Sequence, residues 1–379
     1  MFATAPEEYA AHPVPSLEEW NSLWKAWDTV TRQMIPDEEL NEKPIKLRNA
    51  CIFYLGHIPT FLDMKIVEGT KLPPTEPAYY TQIFERGIDP DVDNPEQVHA
   101  HSEVPDEWPP LDEMLDYQSR VRQRVADLYK TGHAYSDAWT GRVLWLGFEH
   151  EAMHLETLLY MLLQSDKTLP PAGTVKPDFQ QLAAQAQQAA VDNEWFDIPA
   201  QKISIGLDDP DTADGPLRHF GWDVEKPVRE VDVKALKAKA RPITNEEYAR
   251  YLNSTGNHSL PASWKLDEQS NGANGFTNDE DKLASFLHGK SVRTVYGSVP
   301  LKLALDWPVS ASYDELAGCA AYMGGRIPTM EESRSIYSYA DGLKKALPQK
   351  LDKAIPAVNG CVNSKRKKTH KPRQSPNCC

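Results

Sequence analysis

The residues with the clearest capacity for chemistry lie in GFEHEAMHLETLLYMLLQ, residues 147–164, where His150 and His154 stand four positions apart. The stretch is made of good helix formers, and Leu155, Leu158, Leu159, Leu162 and Leu163 give it an apolar stripe. Four residues turn a helix by about 400°, so both imidazoles project from one face, one turn apart, as two ligands of a single metal ion must. The pair is therefore a candidate chelate.

Two other readings fit the same letters. HEAMH is also H-E-x-x-H, the pattern in which Glu151 would act as general base of a zinc peptidase. Two histidines one turn apart also occur on helices that bind no metal at all. Spacing alone leaves the three readings open.

The elements that must position the pair come next. Ser16-Leu-Glu-Glu19 reads as a capping box, and Trp20, Leu23, Trp24, Trp27 and Val30 follow at helical spacing. A second helix is expected over 44–67, with Leu47, Cys51, Tyr54 and Leu55 on one side and the segment GHIPTF inside it. Pro59 lacks a donor N–H, so this helix should be disturbed next to His57, which on its own reads as a hydrogen-bonded core histidine as readily as a ligand. Residues 73–110 are rich in Pro, Asp and Glu and too long for a simple connection, which suggests a functional loop. Arg86 is the one Lys or Arg in that loop, suited to an ion pair with a neighbouring acid or to a bidentate grip on a substrate carboxylate. A third helix is expected over 111–129 through Leu111, Met114, Leu115, Val121, Val125 and Leu128, and the opening stretch lies in the fourth. Four helices with long connections and three histidines describe a bundle over residues 16–168 with an internal metal site.

After Leu169-Pro-Pro-Ala-Gly the texture changes. An Ala/Gln-rich linker over 169–195 leads into short alternating runs such as KISIG and REVDVKAL, and into three helices capped at Thr244, Ser312 and Thr329. Gly324-Gly325 and Pro328 separate the last two. Residues 196–345 are expected to form an irregular α+β domain. The chain of 379 residues carries a net charge of −14, although the last nineteen residues hold six Lys/Arg and no acid. An acidic body argues against nucleic acid as the main partner. Five cysteines without regular spacing suit a reducing compartment, and neither a signal peptide nor a membrane span is evident. The expectation is a cytoplasmic protein, with a disordered lead over 1–15 and a basic tail over 346–379 whose KRKK cluster would also suit nuclear targeting.

Taken together, GHIPTF around His57, the H-x-x-x-H-x-E of His150, His154 and Glu156, FERGIDP in the loop, FGWDVEKPVREV at 220–231 and GGRIPTMEE at 324–332 resemble the ergothioneine-type sulfoxide synthases. The resemblance is closest to the fungal form and covers roughly residues 15–345. It implies a DinB-like four-helix bundle followed by a domain similar to formylglycine-generating enzymes, also called sulfatase-modifying factors, which have a C-type-lectin-like fold.

The resemblance also implies a mononuclear non-haem iron(II) centre with His57, His150 and His154 as ligands. It implies C–S bond formation with O2, joining cysteine or γ-glutamylcysteine to the imidazole of Nα-trimethylhistidine. Arg86 would anchor the carboxylate of the thiol substrate, and Met153 would stand where some relatives place a polar residue against the imidazole substrate. Glu156, six residues beyond His150 and so turned from the ligand face, would support the site from behind. Partners would be these small molecules, with no nucleic acid and no membrane. In the family a long Gly/Asn/Trp-rich stretch carrying a catalytic tyrosine follows the RIPTxxE helix, whereas here PAVNG runs into the basic tail. We therefore expect a C-terminally truncated second domain that leaves Trp307, Tyr322 and Ile327 without cover and impairs activity, or a non-catalytic fragment.

Overall fold

The computed structural model describes residues 14–45, 48–85, 88–90, 98–100, 105–136, 138–209, 221–267 and 279–346. The expected lead before residue 14, Arg86 and the basic tail lie outside the described residues.

Four long helices build the N-terminal part: α1 (Leu17–Thr29), α2 (Cys51–Thr70), α3 (Leu111–Lys130) and α4 (Ala138–Leu162). Helix α1 starts at the expected capping box. Glu19 N–H donates to Ser16 Oγ at 3.2 Å, and Ser16 N–H donates back to the Glu19 carboxylate at 2.6 Å. Its buried face is Trp20, Leu23, Trp24 and Trp27, the 3–4 spacing read from the sequence. Helix α3 buries Met114, Tyr117, Val121, Val125 and Leu128 at the same period. These faces meet α2 and α4 in one apolar core that includes Leu55, Ile58, Leu62, Ile66, Leu144 and Leu158.

Helix α2 begins at Cys51, later than the sequence suggests. The N–H groups of Cys51 and Ile52 donate to the carbonyls of Glu42 (3.2 Å) and Leu40 (2.7 Å), holding the preceding segment as an irregular strap. Pro59 lies inside α2, and thirteen of its twenty residues are buried, so it runs through the centre of the bundle. Helix α4 contains the 147–162 part of the histidine stretch, as expected, and begins nine residues before Gly147.

The two central helices approach closely. A Cβ at Gly147 would lie 2.5 Å from Leu62 Cδ1, so the absence of a side chain there lets α4 pack against α2 one turn before His150. The long loop is tied to the bundle by Asp63, a buried carboxylate on α2. It accepts from Thr75 N–H (2.8 Å) and Thr75 Oγ1 (2.7 Å) and forms an ion pair with Arg124 on α3. Within the loop, β1 (Ile88–Pro90) and β2 (Val98–Ala100) pair antiparallel.

The rest of the chain is the expected α+β region of small antiparallel sheets. Helix α5 (Phe179–Gln188) has no buried residue, as suits a linker, yet the Phe179 ring packs 5.8 Å from that of Trp307. Strands β3 (Trp195–Ile198), β4 (Gln201–Ile205), β5 (Arg229–Val233) and β6 (Leu236–Lys239) form nested pairs, β4 with β5 and β3 with β6. Helix α6 (Asn245–Thr255) carries the Thr244 cap and packs on α7 (Asp279–Leu287) and on the sheet of β7 (Trp264–Leu266), β8 (Lys290–Val292) and β9 (Val299–Pro300). Helix α8 (Tyr313–Tyr322) carries the Ser312 cap, and α9 (Met330–Ala346) starts at the Thr329–Glu332 pair. Gly324, at φ +79°, makes the left-handed turn between them.

This region has its own core of Tyr248, Leu252, Trp264, Leu283, Leu301 and Cys319. Trp307, expected to lack cover, packs against that core and against Phe179, because α5 folds back over it. Ile327 is half-buried, and Tyr322, although exposed, has its ring 5.5 Å from that of Tyr251. Ion pairs join the two parts: Arg142 on α4 with the buried Asp209, and Asp166 with Lys265 and Arg293. No helix among the described residues is long and apolar enough to cross a membrane.

Candidate metal centre

The structure brings His57 from α2 together with His150 and His154 from α4. One nitrogen from each imidazole lies within 4.8 Å of the others, and this is the three-residue group among the described residues that could hold a metal ion. Ring centroids are 4.5 Å apart for His150–His154 and 5.0 Å for His57 with each partner. His57 is 4% exposed and His150 is 7%.

Residues of α2 and the Phe84 carbonyl hold the three rings. His57 Nδ1–H donates to the Phe84 carbonyl at 2.6 Å, which fixes the tautomer and leaves Nε2 as the free lone pair. That contact depends on Gly56, since a Cβ there would overlap the Phe84 ring. Phe53, one turn before His57, stacks on it with centroids 5.1 Å apart. Phe61, one turn after, stacks on His150 at 3.8 Å, and the Tyr54 ring lies 5.7 Å from that of His154.

This apolar sleeve makes protonation costly. Burial holds all three histidines below the ordinary imidazole value, His154 down to about 3, and mutual repulsion among the rings adds to the effect for His150 and His154. At neutral pH the site therefore presents three uncharged imidazole lone pairs. Nδ1 of His154 is buried without a hydrogen-bond partner, a donor atom that a bound cation would satisfy. The chemistry of the donor set fits a divalent transition metal with open positions for further ligands.

The other residues named from the sequence are placed differently. Met153 is 45% exposed beside His154. Glu156 is exposed on α4. Arg86 lies outside the described residues. Phe61 and Phe84 stand within the GHIPTF and FERGIDP motifs but were given no role there, and Phe53 was not singled out. Phe53 and Phe61 stand at i−4 and i+4 from His57 and could have been found by that spacing, whereas a backbone carbonyl 27 residues away leaves no local signal.

Glu151 is turned away from the three histidines into the bundle, 2% exposed. It lines a cavity of about 10 Å³ with Trp24, Ile58, Pro59, Leu62, Gln118, Val121 and Arg122. Its nearest charge is Arg122 at 3.9 Å, and that guanidinium is already engaged by Asp28 at 2.8 and 2.9 Å. Burial pushes the Glu151 carboxyl up to about 7, against the opposing pull of Arg122. A general base must reach the reacting water, and this carboxyl faces the opposite side of its helix.

The raised value has a stability consequence with a definite sign. The neutral acid is the form that the fold favours, so the carboxyl's contribution is complete below its unfolded value near 4.5 and is lost as pH rises through about 7. Glu151→Gln is expected to stabilise the protein by roughly 1–3 kcal/mol at about pH 8 and to change little near pH 5, as read by urea denaturation. Metal uptake by this variant is expected to match that of the unaltered chain.

Residues 17–158, which contain all three histidines, match the DinB superfamily. Over 371 residues the chain is 58% identical to ergothioneine biosynthesis protein 1 of Neurospora crassa, an alignment that covers 94% of this chain and 42% of that protein. The chain belongs to this ergothioneine biosynthesis family. Ergothioneine biosynthesis protein 1 of Schizosaccharomyces pombe is 32% identical over 346 residues, covering 86% of this chain and 42% of the relative. The chain thus spans less than half the length of these ergothioneine biosynthesis relatives.

Proposed function

We propose that this chain carries the iron(II) site of an O2-dependent sulfoxide synthase that joins cysteine or γ-glutamylcysteine to the imidazole of Nα-trimethylhistidine in ergothioneine biosynthesis. The observation that supports the reading best is the buried, uncharged three-histidine cluster in a chain that aligns over 94% of its length with an ergothioneine biosynthesis protein. His57, His150 and His154 would hold the ion. When bound, iron would supply Lewis acidity towards a thiolate and one-electron reactivity towards O2.

The remaining work falls to the protein. Phe84 holds the His57 tautomer through Nδ1–H, and Phe53 and Phe61 lock the ring planes by stacking. The same aromatic sleeve keeps water from two faces of the cluster and keeps the ligands unprotonated. The half-exposed His154 side, flanked by Tyr54 and Met153, is the side from which substrates would enter. The second part of the chain is proposed to be the beginning of a formylglycine-generating-enzyme-like domain, and the protein is proposed to act in the cytoplasm on small molecules.

Metal binding is proposed of this chain and the complete reaction of the whole protein, because the chain spans 42% of its relatives. The test is anaerobic loading with Fe(II), then addition of O2, the thiol amino acid and Nα-trimethylhistidine, with mass spectrometry of the products. A coupled sulfoxide that requires iron and all three histidines is the expected result for the full-length protein. Iron uptake without any C–S product would overturn the proposed reaction and leave a metal-binding module.

A further inference from the structure

The edge of the cluster beside His154 holds a cation with no obvious structural use. Arg48 lies in the strap just before α2 and is half-buried. Its Nη2 donates to the Tyr160 hydroxyl at 3.3 Å, and it forms no ion pair with a carboxylate among the described residues. Tyr160 is on α4, six residues beyond His154, and is 44% exposed. The Tyr54 ring, on α2, lies 5.7 Å from that of His154.

Lys65 provides the contrast. Its ammonium lies over the Phe61 ring, which stacks on His150, but it is held by Glu68 at 2.9 Å. A guanidinium has five donors in a planar fork, and a half-buried one that spends a single donor on a phenol retains the pair that suits a carboxylate. A structural arginine in an acidic protein would ordinarily be paired. Asp28, Asp63 and Asp209 each take such a partner elsewhere in this chain.

We propose that Arg48, with Tyr160 beside it, binds the α-carboxylate of an amino-acid substrate whose side-chain thiol or imidazole reaches the three-histidine site. This rests on the proposed metal site and adds a substrate-anchoring residue on the side of the bundle opposite Lys65. Arg48 acts by binding and orienting. It takes no part in bond making.

The test uses the full chain loaded anaerobically with Co(II), whose visible bands report ligands entering its coordination sphere. Cobalt uptake is measured first for the unaltered chain and for Arg48→Met, Arg48→Lys and Tyr160→Phe. Each loaded protein is then titrated with L-cysteine against cysteamine and with L-histidine against histamine, pairs that differ by the carboxylate. In the unaltered chain at least one carboxylate-bearing probe is expected to bind about 10-fold more tightly than its decarboxylated partner, as one charge-assisted bidentate contact would give. The pair that shows the preference identifies which substrate Arg48 receives. Arg48→Met is expected to bring that ratio to within about 2-fold of unity, with Arg48→Lys between, since one ammonium keeps the charge without the fork. Loaded Arg48→Met that keeps the ratio, or an unaltered chain with no carboxylate preference, overturns the assignment of Arg48 alone. Failure of the unaltered chain to take up cobalt overturns the metal site, and the anchoring role falls with it.

Discussion

Replacing His150 with alanine is expected to lower Fe(II) affinity by at least about 100-fold and to leave the helical content of the protein unchanged. His150 makes the closest ring stack of the three, against Phe61 at 3.8 Å with the other two histidines edge-on to it, and it makes no side-chain hydrogen bond among the described residues. Truncating it opens a cavity in the bundle and costs stability, but α4 retains Val143, Leu144, Leu158 and Met161 in the core. Equilibrium dialysis with metal analysis separates the two effects: retained ellipticity with iron content reduced to background is the expected pair of results. Unchanged iron content would mean that the metal, if any, sits elsewhere.

The second large effect is expected at a residue that touches no metal. Gly56 precedes His57, and any Cβ there would enter the Phe84 ring. Gly56→Ala forces Phe84 outward, breaks the bond from His57 Nδ1–H to the Phe84 carbonyl and disturbs the stacking of Phe84 on Trp108, whose rings are 5.6 Å apart. Overpacking of this kind costs about 3 kcal/mol, and loss of a ligand's supporting hydrogen bond costs about 10-fold or more in metal affinity. Calorimetric unfolding and metal titration of the same variant measure both. A control, Gly132→Ala, meets nothing within 4 Å but carries φ +79°, so it tests backbone strain without touching the site. Its metal affinity is expected to be unaltered.

The contrast between these residues shows where the sequence was readable. His150 and His154 declare themselves because helical periodicity converts a spacing of four into a shared face. The capping boxes at Ser16, Thr244 and Ser312 were legible for the same reason, since both partners lie within four residues. His57 was readable as a ligand only through its family context, because nothing local distinguishes it from a core histidine.

Long-range contacts were not legible. The Phe84 carbonyl and the Arg48–Tyr160 contact join residues 27 and 112 positions apart. The start of α2 was misplaced because backbone bonds from Cys51 and Ile52 to Glu42 and Leu40, which no side-chain pattern encodes, override the apolar spacing from residue 44. Helix α7 and strands β7 to β9 are short and interleaved with loops, too brief for periodicity to mark. Glu151 is instructive in another way. The motif assigns it a catalytic base's role, and the rotation of one residue along α4 sends it instead into the core beside Arg122.

The most direct measurement of the central claim is anomalous diffraction at the iron absorption edge from crystals of the chain loaded anaerobically with Fe(II). The account predicts a single strong peak per chain, bounded by His57, His150 and His154, with each imidazole nitrogen at about 2.1–2.2 Å. A loaded crystal with no peak at that position, or with its iron bound elsewhere, would contradict it.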